Sequence, residues 1–355
     1  MDSKKLKYGI IGCGGIASLK HLAGYAKMGD VEIVAVCDSN YERALEAAKT
    51  YNVPNCFKDT NEMLKMKNLD IVSICVPNFL HAPMTIAALE AGKHVHCEKP
   101  PALSAVEVQK MIDARDKSGK KLMVGLNYLF YPSTDFVKKF IDGGGMGDIY
   151  YAKCGWLRRR GIPGKGGWFT SKEKSGGGPL IDLGVHFIEL AMYLMGSPKP
   201  VTVSGSTYCK FANSTNESSF SGNTTFQTIT QNAVFDVEDT AMGFIRMDNG
   251  ATMITECTWA SNIEEEYNYY ELFGTKAGIR FRNGKLQIFS EINGTLVDIA
   301  PKITDIPFSE DEIRHFVDCV KEDKEPIARA EDSMEVMRII ESIYASAEKK
   351  CEIKF

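Results

Sequence analysis

The sequence predicts an α/β protein in two parts: an N-terminal doubly wound parallel sheet, then a C-terminal α+β domain with a large open, mainly antiparallel sheet. Three observations predict this. The chain has 355 residues, more than the roughly 250 at which a single core stops growing. Up to residue 125, short and continuously apolar runs alternate with helical stretches, the pattern of parallel strands covered on both faces. Beyond about residue 126, glycine-rich stretches surround one strong helix, and strand-like runs then follow one another. The division is therefore set at residues 1–125 and 126–355.

In order, residues 7–11 form a short apolar run broken by glycines, residues 16–28 read as a helix, and residues 31–37 are a β-branched run ending at Asp38. Residues 41–51 look helical, 63–66 mark a shorter helix, and 71–76 are an apolar run bounded by Pro77. Residues 78–91 read as a helix closed by Gly92, and Val95 starts a strand that leads into Glu98-Lys99-Pro100. The helix over 104–118 opens with Ser104 and has Glu107 three residues on, a capping-box spacing, and residues 121–125 are one more buried strand. In the second part, glycine-rich stretches at 143–147, 161–167 and 176–178 flank a helix over 180–194. Strand-like segments follow at 201–208, 240–247, 251–260, 269–274 and 279–282, with an Asn/Ser/Thr-rich exposed loop at 213–230. Helices return at 311–321 and 330–349.

Hydrophobic residues make up 44% and charged residues 25% of the chain, so it folds as an ordinary globular protein. A net charge of -4 without basic or acidic blocks recruits neither nucleic acid nor an anionic membrane, which leaves a small molecule as the expected partner. The ten cysteines are scattered singly, several within apolar runs, where a free cysteine behaves as a small hydrophobe; this reads as a reducing, cytoplasmic setting. The polar start running straight into a strand gives no sign of a signal peptide, and no apolar run approaches the roughly 20 residues that span a bilayer.

The first turn reads Gly12-Cys13-Gly14-Gly15-Ile16-Ala17, a GxGxxA between a strand and a helix. Glycines there permit a tight turn, let a pyrophosphate approach the backbone, and leave it on the positive end of the helix, as in the Rossmann dinucleotide fold. Such a turn alone is weak evidence; here the strand, the helix and the acidic Asp38 ending the second strand complete the pattern. A carboxylate at Asp38 accepts hydrogen bonds from ribose hydroxyls and repels a 2′-phosphate, so NAD is expected over NADP. Arg43, one helical turn later, reads as a solvated helix residue.

Beyond this motif, Val76-Pro77-Asn78, His81, the run 88–95 (ALEAGKHV), Cys97-Glu98-Lys99-Pro100, Gly176-Gly177-Gly178 and Asp182-Leu183-Gly184-Val185-His186 together resemble the Gfo/Idh/MocA oxidoreductases. The resemblance spans most of the chain. It implies a Rossmann domain joined to an open-sheet domain with the active site between them, Pro77, Asn78, His81, Glu98 and Lys99 along the cofactor, and Lys99 in catalysis.

The residues themselves support that chemistry. Glu98-Lys99-Pro100 lies at the carboxyl end of a parallel strand, the edge where such sheets bind ligands, and the proline keeps Lys99 out of a helix. A lysine there can donate to the oxygen being oxidised and stabilise its alkoxide character. Asp182 and His186 are four apart on one helix face, so a carboxylate can orient an imidazole that takes a proton near neutral pH. Gly184 between them costs a helix about 1 kcal/mol relative to alanine, which points to a close approach at its backbone. Taken singly, a lysine is usually a surface residue and a helical histidine usually structural; the paired motifs favour catalysis. His94 and His96 alternate on a strand and face opposite ways, so no metal site is expected, and no GxSxG elbow supports a serine nucleophile.

Substrate contacts are expected from Tyr128, Tyr131, Trp156 and Trp168, whose faces suit pyranose rings, and from one arginine of Arg158-Arg159-Arg160. The stretch 156–186 is similar to family members that oxidise glycosides at the sugar's C3. The resemblance therefore implies an NAD-dependent dehydrogenase of a sugar, glycoside or cyclic polyol, assembled as a homo-oligomer through the open sheet. The alternatives are a non-catalytic NAD-binding sensor, or a hydride shuttle between two sugars with tightly held NAD.

Overall fold

The computed structural model describes residues 5–163, 167–211, 234–307 and 310–355. The expected loop at 213–230, and Gly164 and Gly166 of the glycine-rich stretch, lie outside the described residues. The chain divides into two compact units, one taking Met1–Phe130 with Ile306–Met334 and the other Tyr131–Asp305 with Glu335–Phe355.

In the first unit the β-branched and apolar runs form β1 (Leu6–Ile11), β2 (Val31–Cys37), β3 (Asn55–Phe57), β4 (Ile71–Ile74), β5 (His94–Glu98) and β6 (Leu122–Gly125). They pair in parallel in the order β3-β2-β1-β4-β5-β6. The order reverses at β1, which is where a doubly wound sheet opens its ligand crevice at the carboxyl ends of the strands. Every residue of β4 and β6 is buried, as strands covered on both faces require. The helix Ala105–Ser118 starts where its cap predicts, Ser104 Oγ accepting from the Glu107 amide at 3.2 Å. The Glu107 carboxylate takes the amide of Leu103 at 3.0 Å, one residue earlier than the capping box expects. The expected helix at 16–28 winds first as a π-helical stretch, Ala17–Leu22, before α-helix Ala23–Ala26.

The second unit holds β7 (Ile149–Leu157), β8 (Pro200–Tyr208), β9 (Thr240–Met247), β10 (Thr252–Thr258), β11 (Tyr267–Gly274), β12 (Ala277–Arg282), β13 (Lys285–Ile292), β14 (Thr295–Ile299) and β15 (Ile353–Lys354). They form one nine-stranded sheet in the order β14-β13-β12-β11-β7-β10-β9-β8-β15, antiparallel except for the parallel pair β7 and β10. Strands β7, β13 and β14 and the helix Pro132–Asp142 go beyond the sequence reading. A parallel neighbour needs a long crossover, and the one from β7 towards β10 includes the helix over 180–194, which packs on one face of the sheet. Residues therefore alternate along β9: Ala241 and Ile245 are fully buried, while Met242 and Phe244 on the other face are 40% and 37% exposed.

All ten cysteines are free. Burial pushes the thiols of Cys13, Cys97 and Cys154 up to about 12, so they serve as small apolar side chains. No helix among the described residues is long and apolar enough to cross a membrane.

Candidate active site

The carboxyl ends of β1, β2, β4, β5 and β6 carry in turn the glycine turn, Asp38, Pro77 with Asn78, Lys99 and the turn Asn127–Phe130 that bears Tyr128. Gly12 has φ +91°, and a Cβ there would lie 2.2 Å from the Cys75 carbonyl oxygen, so only glycine fits between β1 and β4. A Cβ on Gly14 would meet nothing within 4 Å, which leaves that backbone open to a ligand. Gly15 and Ile16 are half-buried and Ala17 is buried, where the chain enters its helix. Asp38 is held at the rim: its Oδ2 accepts from the Cys13 amide and its Oδ1 from the Asn40 amide, both at 2.8 Å. Two bonds leave a carboxylate further acceptor sites for ribose hydroxyls. Open glycine backbone, a helix start and a fixed carboxylate make a donor and acceptor set that fits a dinucleotide.

Two residues expected along the cofactor have their side chains engaged within the protein. The His81 ring is buried, with Nδ1 2.5 Å from the Pro100 carbonyl and Nε2 2.8 Å from the Val76 carbonyl. Burial lowers its pKa, so the ring carries one N–H, donated to one of these two carbonyls, and both ring nitrogens face the loops after β4 and β5. Glu98 points into the interior. Its Oε1 accepts from Lys20 Nζ and His21 Nε2, each at 2.8 Å, while Oε2 accepts the Lys99 amide at 3.3 Å. Lys20 also reaches Glu312 at 2.8 Å, His96 Nε2 donates to Glu312 at 2.9 Å, and His21 Nδ1 accepts from the Ser73 hydroxyl at 2.9 Å. Lys20, His21, Ser73, His96, Glu98 and Glu312 are all buried. Burial opposes every charge here, yet Glu312 and Glu98 together hold the Lys20 pKa up, and Lys20 with His21 holds the Glu98 carboxyl well below the usual range. Burial pushes the His21 imidazole down to about 4, which makes it a neutral donor. This scaffold fixes the backbone of Lys99, whose own side chain is half-exposed.

In the second unit, Asp182 lies in a π-helical stretch, Leu180–Gly184, and His186 in the α-helix Val185–Leu194 that continues it. Between Leu180 and Met192, only these two residues are not buried. The helix start is held by Glu238, whose carboxylate accepts the amides of Gly178 at 3.0 Å and Leu180 at 3.2 Å. A Cβ on Gly184 would lie 3.0 Å from Cys257 Sγ, the close approach that the glycine foretold. The Trp259 indole N–H donates to Asp182 Oδ2 at 3.0 Å. Trp156 lies 6.3 Å from the His186 ring, centroid to centroid, and the Arg158 guanidinium stacks on it at 4.9 Å.

His186, Trp156 and Arg158 thus form one cluster, and Asp182, one helical turn earlier, is joined to Trp259. Arg159 and Arg160 instead donate to the chain at 261–264. Trp168 stacks on Phe169 at 3.8 Å, Tyr128 is half-buried, and Tyr131 is buried. The sequence reading missed Trp259, Glu238 and the Lys20 scaffold, whose partners lie far along the chain.

The family model described as the oxidoreductase family with an NAD-binding Rossmann fold matches residues 6–126, and that of its C-terminal alpha/beta domain matches residues 138–355. The chain is 34% identical to the D-glucoside 3-dehydrogenase of Escherichia coli (strain K12), over 98% of this chain and 97% of that one. It is 30% identical to the levoglucosan dehydrogenase of Pseudarthrobacter phenanthrenivorans, over 80% and 76% of the two chains. The solved structure of a levoglucosan dehydrogenase in complex with NADH and levoglucosan superposes with a TM-score of 0.85 at 26% identity, covering 99% of both chains. The chain belongs to the Gfo/Idh/MocA family of oxidoreductases, and its first part is that family's NAD-binding Rossmann fold.

Proposed function

We propose that the protein is an NAD-dependent dehydrogenase that oxidises a secondary hydroxyl of a sugar or glycoside, at C3 of a glucoside. The observation that carries this reading is the pair Asp182 and His186, the two unburied positions between Leu180 and Met192, with Trp156 and Arg158 beside His186. Residues 1–125 bind NAD, and residues 126–355, apart from Ile306–Met334, which cluster with the first unit, bind substrate and carry the oligomer contacts.

In this reading His186 accepts the hydroxyl proton, Asp182 orients the imidazole and stabilises its charge, and Lys99 donates to the substrate oxygen as it gains alkoxide character. NAD, when bound, supplies the acceptor for the hydride. Trp156, Trp168 and Tyr128 offer flat faces to a pyranose ring, and Arg158 donates to its hydroxyls. Asp38 selects NAD: Asp38→Ala narrows the preference over NADP, and tighter binding of NADP by the parent protein would refute this role. The names of the relatives support a dehydrogenase over a binding-only sensor or a two-sugar shuttle. The protein works in the cytoplasm and as a homo-oligomer, and the oligomer is supported by exposed Met242 and Phe244 on one face of the nine-stranded sheet. A monomeric mass by light scattering at micromolar concentration would refute it. The test of function is NADH formation with a panel of D-glucosides, levoglucosan and free hexoses, followed by identification of the ketone. A 3-ketoglucoside is expected, and no turnover on any of them would overturn the reading.

A further inference from the structure

We propose that Trp259 is a positioning residue for the reaction: its indole N–H fixes the Asp182 carboxylate in the ionised, oriented form that His186 requires. This rests on the reading of Asp182 and His186 given above. The Trp259 side chain is fully buried, and its single polar atom lies 3.0 Å from Asp182 Oδ2. An indole N–H only donates, so it serves the carboxylate and disfavours the carboxylic acid.

The indole cannot drift. Its backbone amide donates to the Asp239 carbonyl at 3.0 Å, and its ring packs with Ile162, Leu183, Val237 and Ala260. Leu183 is the neighbour of Asp182 on the π-wound stretch, so ring and carboxylate are set by the same packing. Around Asp182, the titratable and charged groups are His186 and Glu189 on its own helix, Cys154 on the buried face of β7 with Arg158 just beyond it, Cys257 on the buried face of β10, Asp239 preceding β9, and Glu238 at the helix start, while Lys153 and Glu256 lie on the opposite faces of β7 and β10. Both thiols are pushed up by burial and stay protonated. Asp239 accepts the amides of Lys210 and Phe211, and Glu238 those of Gly178 and Leu180. Trp259, just beyond β10, aims its donor at Asp182.

The experiment is Trp259→Phe, which keeps an aromatic ring and removes the donor, alongside Asp182→Asn and the double variant. Loss of a hydrogen bond to a charged group predicts kcat lower by about 10- to 100-fold, with the Kd for NAD unchanged. The acid limb of the kcat profile should move to higher pH, because the carboxylate then holds its proton more tightly. The double variant should be no slower than Asp182→Asn alone. If Asp182→Asn is inactive while Trp259→Phe keeps the parent kcat and pH profile, the inference fails and the reading of the site stands. If Asp182→Asn is fully active, the reading itself fails. Should Trp259→Phe not fold, the chain's three tryptophans give three indole N–H signals in the intact protein. One should titrate with the carboxylate and shift in Asp182→Asn, and three signals indifferent to both would overturn the inference.

Discussion

The two sheets bury their strands in opposite ways, and this decides how each holds its functional groups. In the six-stranded sheet, β4 and β6 are buried at every residue, so a charge below that sheet has no water and must be paired; Lys20, Glu98 and Glu312 satisfy one another with His21 and His96. In the nine-stranded sheet, burial alternates along β9, and the helix on the covered face keeps Asp182 and His186 partly open among aromatic rings. Lys99 is thus anchored by buried ions, and Asp182 by an indole. The first scaffold should be the more fragile towards loss of a charge and towards acid, and the second the more sensitive to shape.

The largest expected effect breaks the ionic scaffold. Lys20→Met leaves two buried carboxylates uncompensated and should cost about 3–5 kcal/mol of unfolding free energy, measured in urea. A loss below about 1 kcal/mol would show that water reaches the network. Acid should weaken the same scaffold more gently. His21 titrates near 4 in the fold and near 6.5 when unfolded, so the unfolded chain binds the proton first and stability falls as pH drops from about 6.5 to 4. His21 alone accounts for on the order of 3 kcal/mol. Glu98 and Glu312, with lowered pKa values, add losses in the same direction below about 4.5. Urea midpoints across this range should follow that slope, and a flat profile would mean that His21 protonates in place.

The smallest stability effect belongs to the second unit. In Gly184→Ala, helix propensity gains about 1 kcal/mol, while the new methyl presses on Cys257 Sγ and Leu180, at 3.0 and 3.2 Å. The net change should stay within about 1 kcal/mol. Turnover should drop nonetheless, because relieving that contact shifts the helix that carries Asp182 and His186. Unchanged kcat would detach helix position from catalysis.

What the sequence made legible was local or carried by specific motifs. The run at 31–37 is β2, the helix over 41–51 is present to the residue, and the glycine turn, Asp38 and Lys99 sit on one sheet edge. What it hid was long-range. Lys20 meets Glu312 across 292 positions and Trp259 meets Asp182 across 77, and neither partner looks unusual in its own neighbourhood. Strand β7 was missed because its partners β10 and β11 follow about a hundred residues later. The π winding at 17–22 and 180–184 leaves no signature in residue type, yet one stretch carries Lys20 and His21 and the other Asp182.

The central claim, that Lys99 and His186 perform the chemistry while the glycine turn and Asp38 only bind, is tested most directly by single-turnover NADH formation on a confirmed glucoside. Lys99→Ala and His186→Ala should each slow this step by about 10²–10⁴-fold, with NAD affinity changed only a few-fold at most. Near-normal rates in both variants would contradict the mechanism and leave only the cofactor site standing.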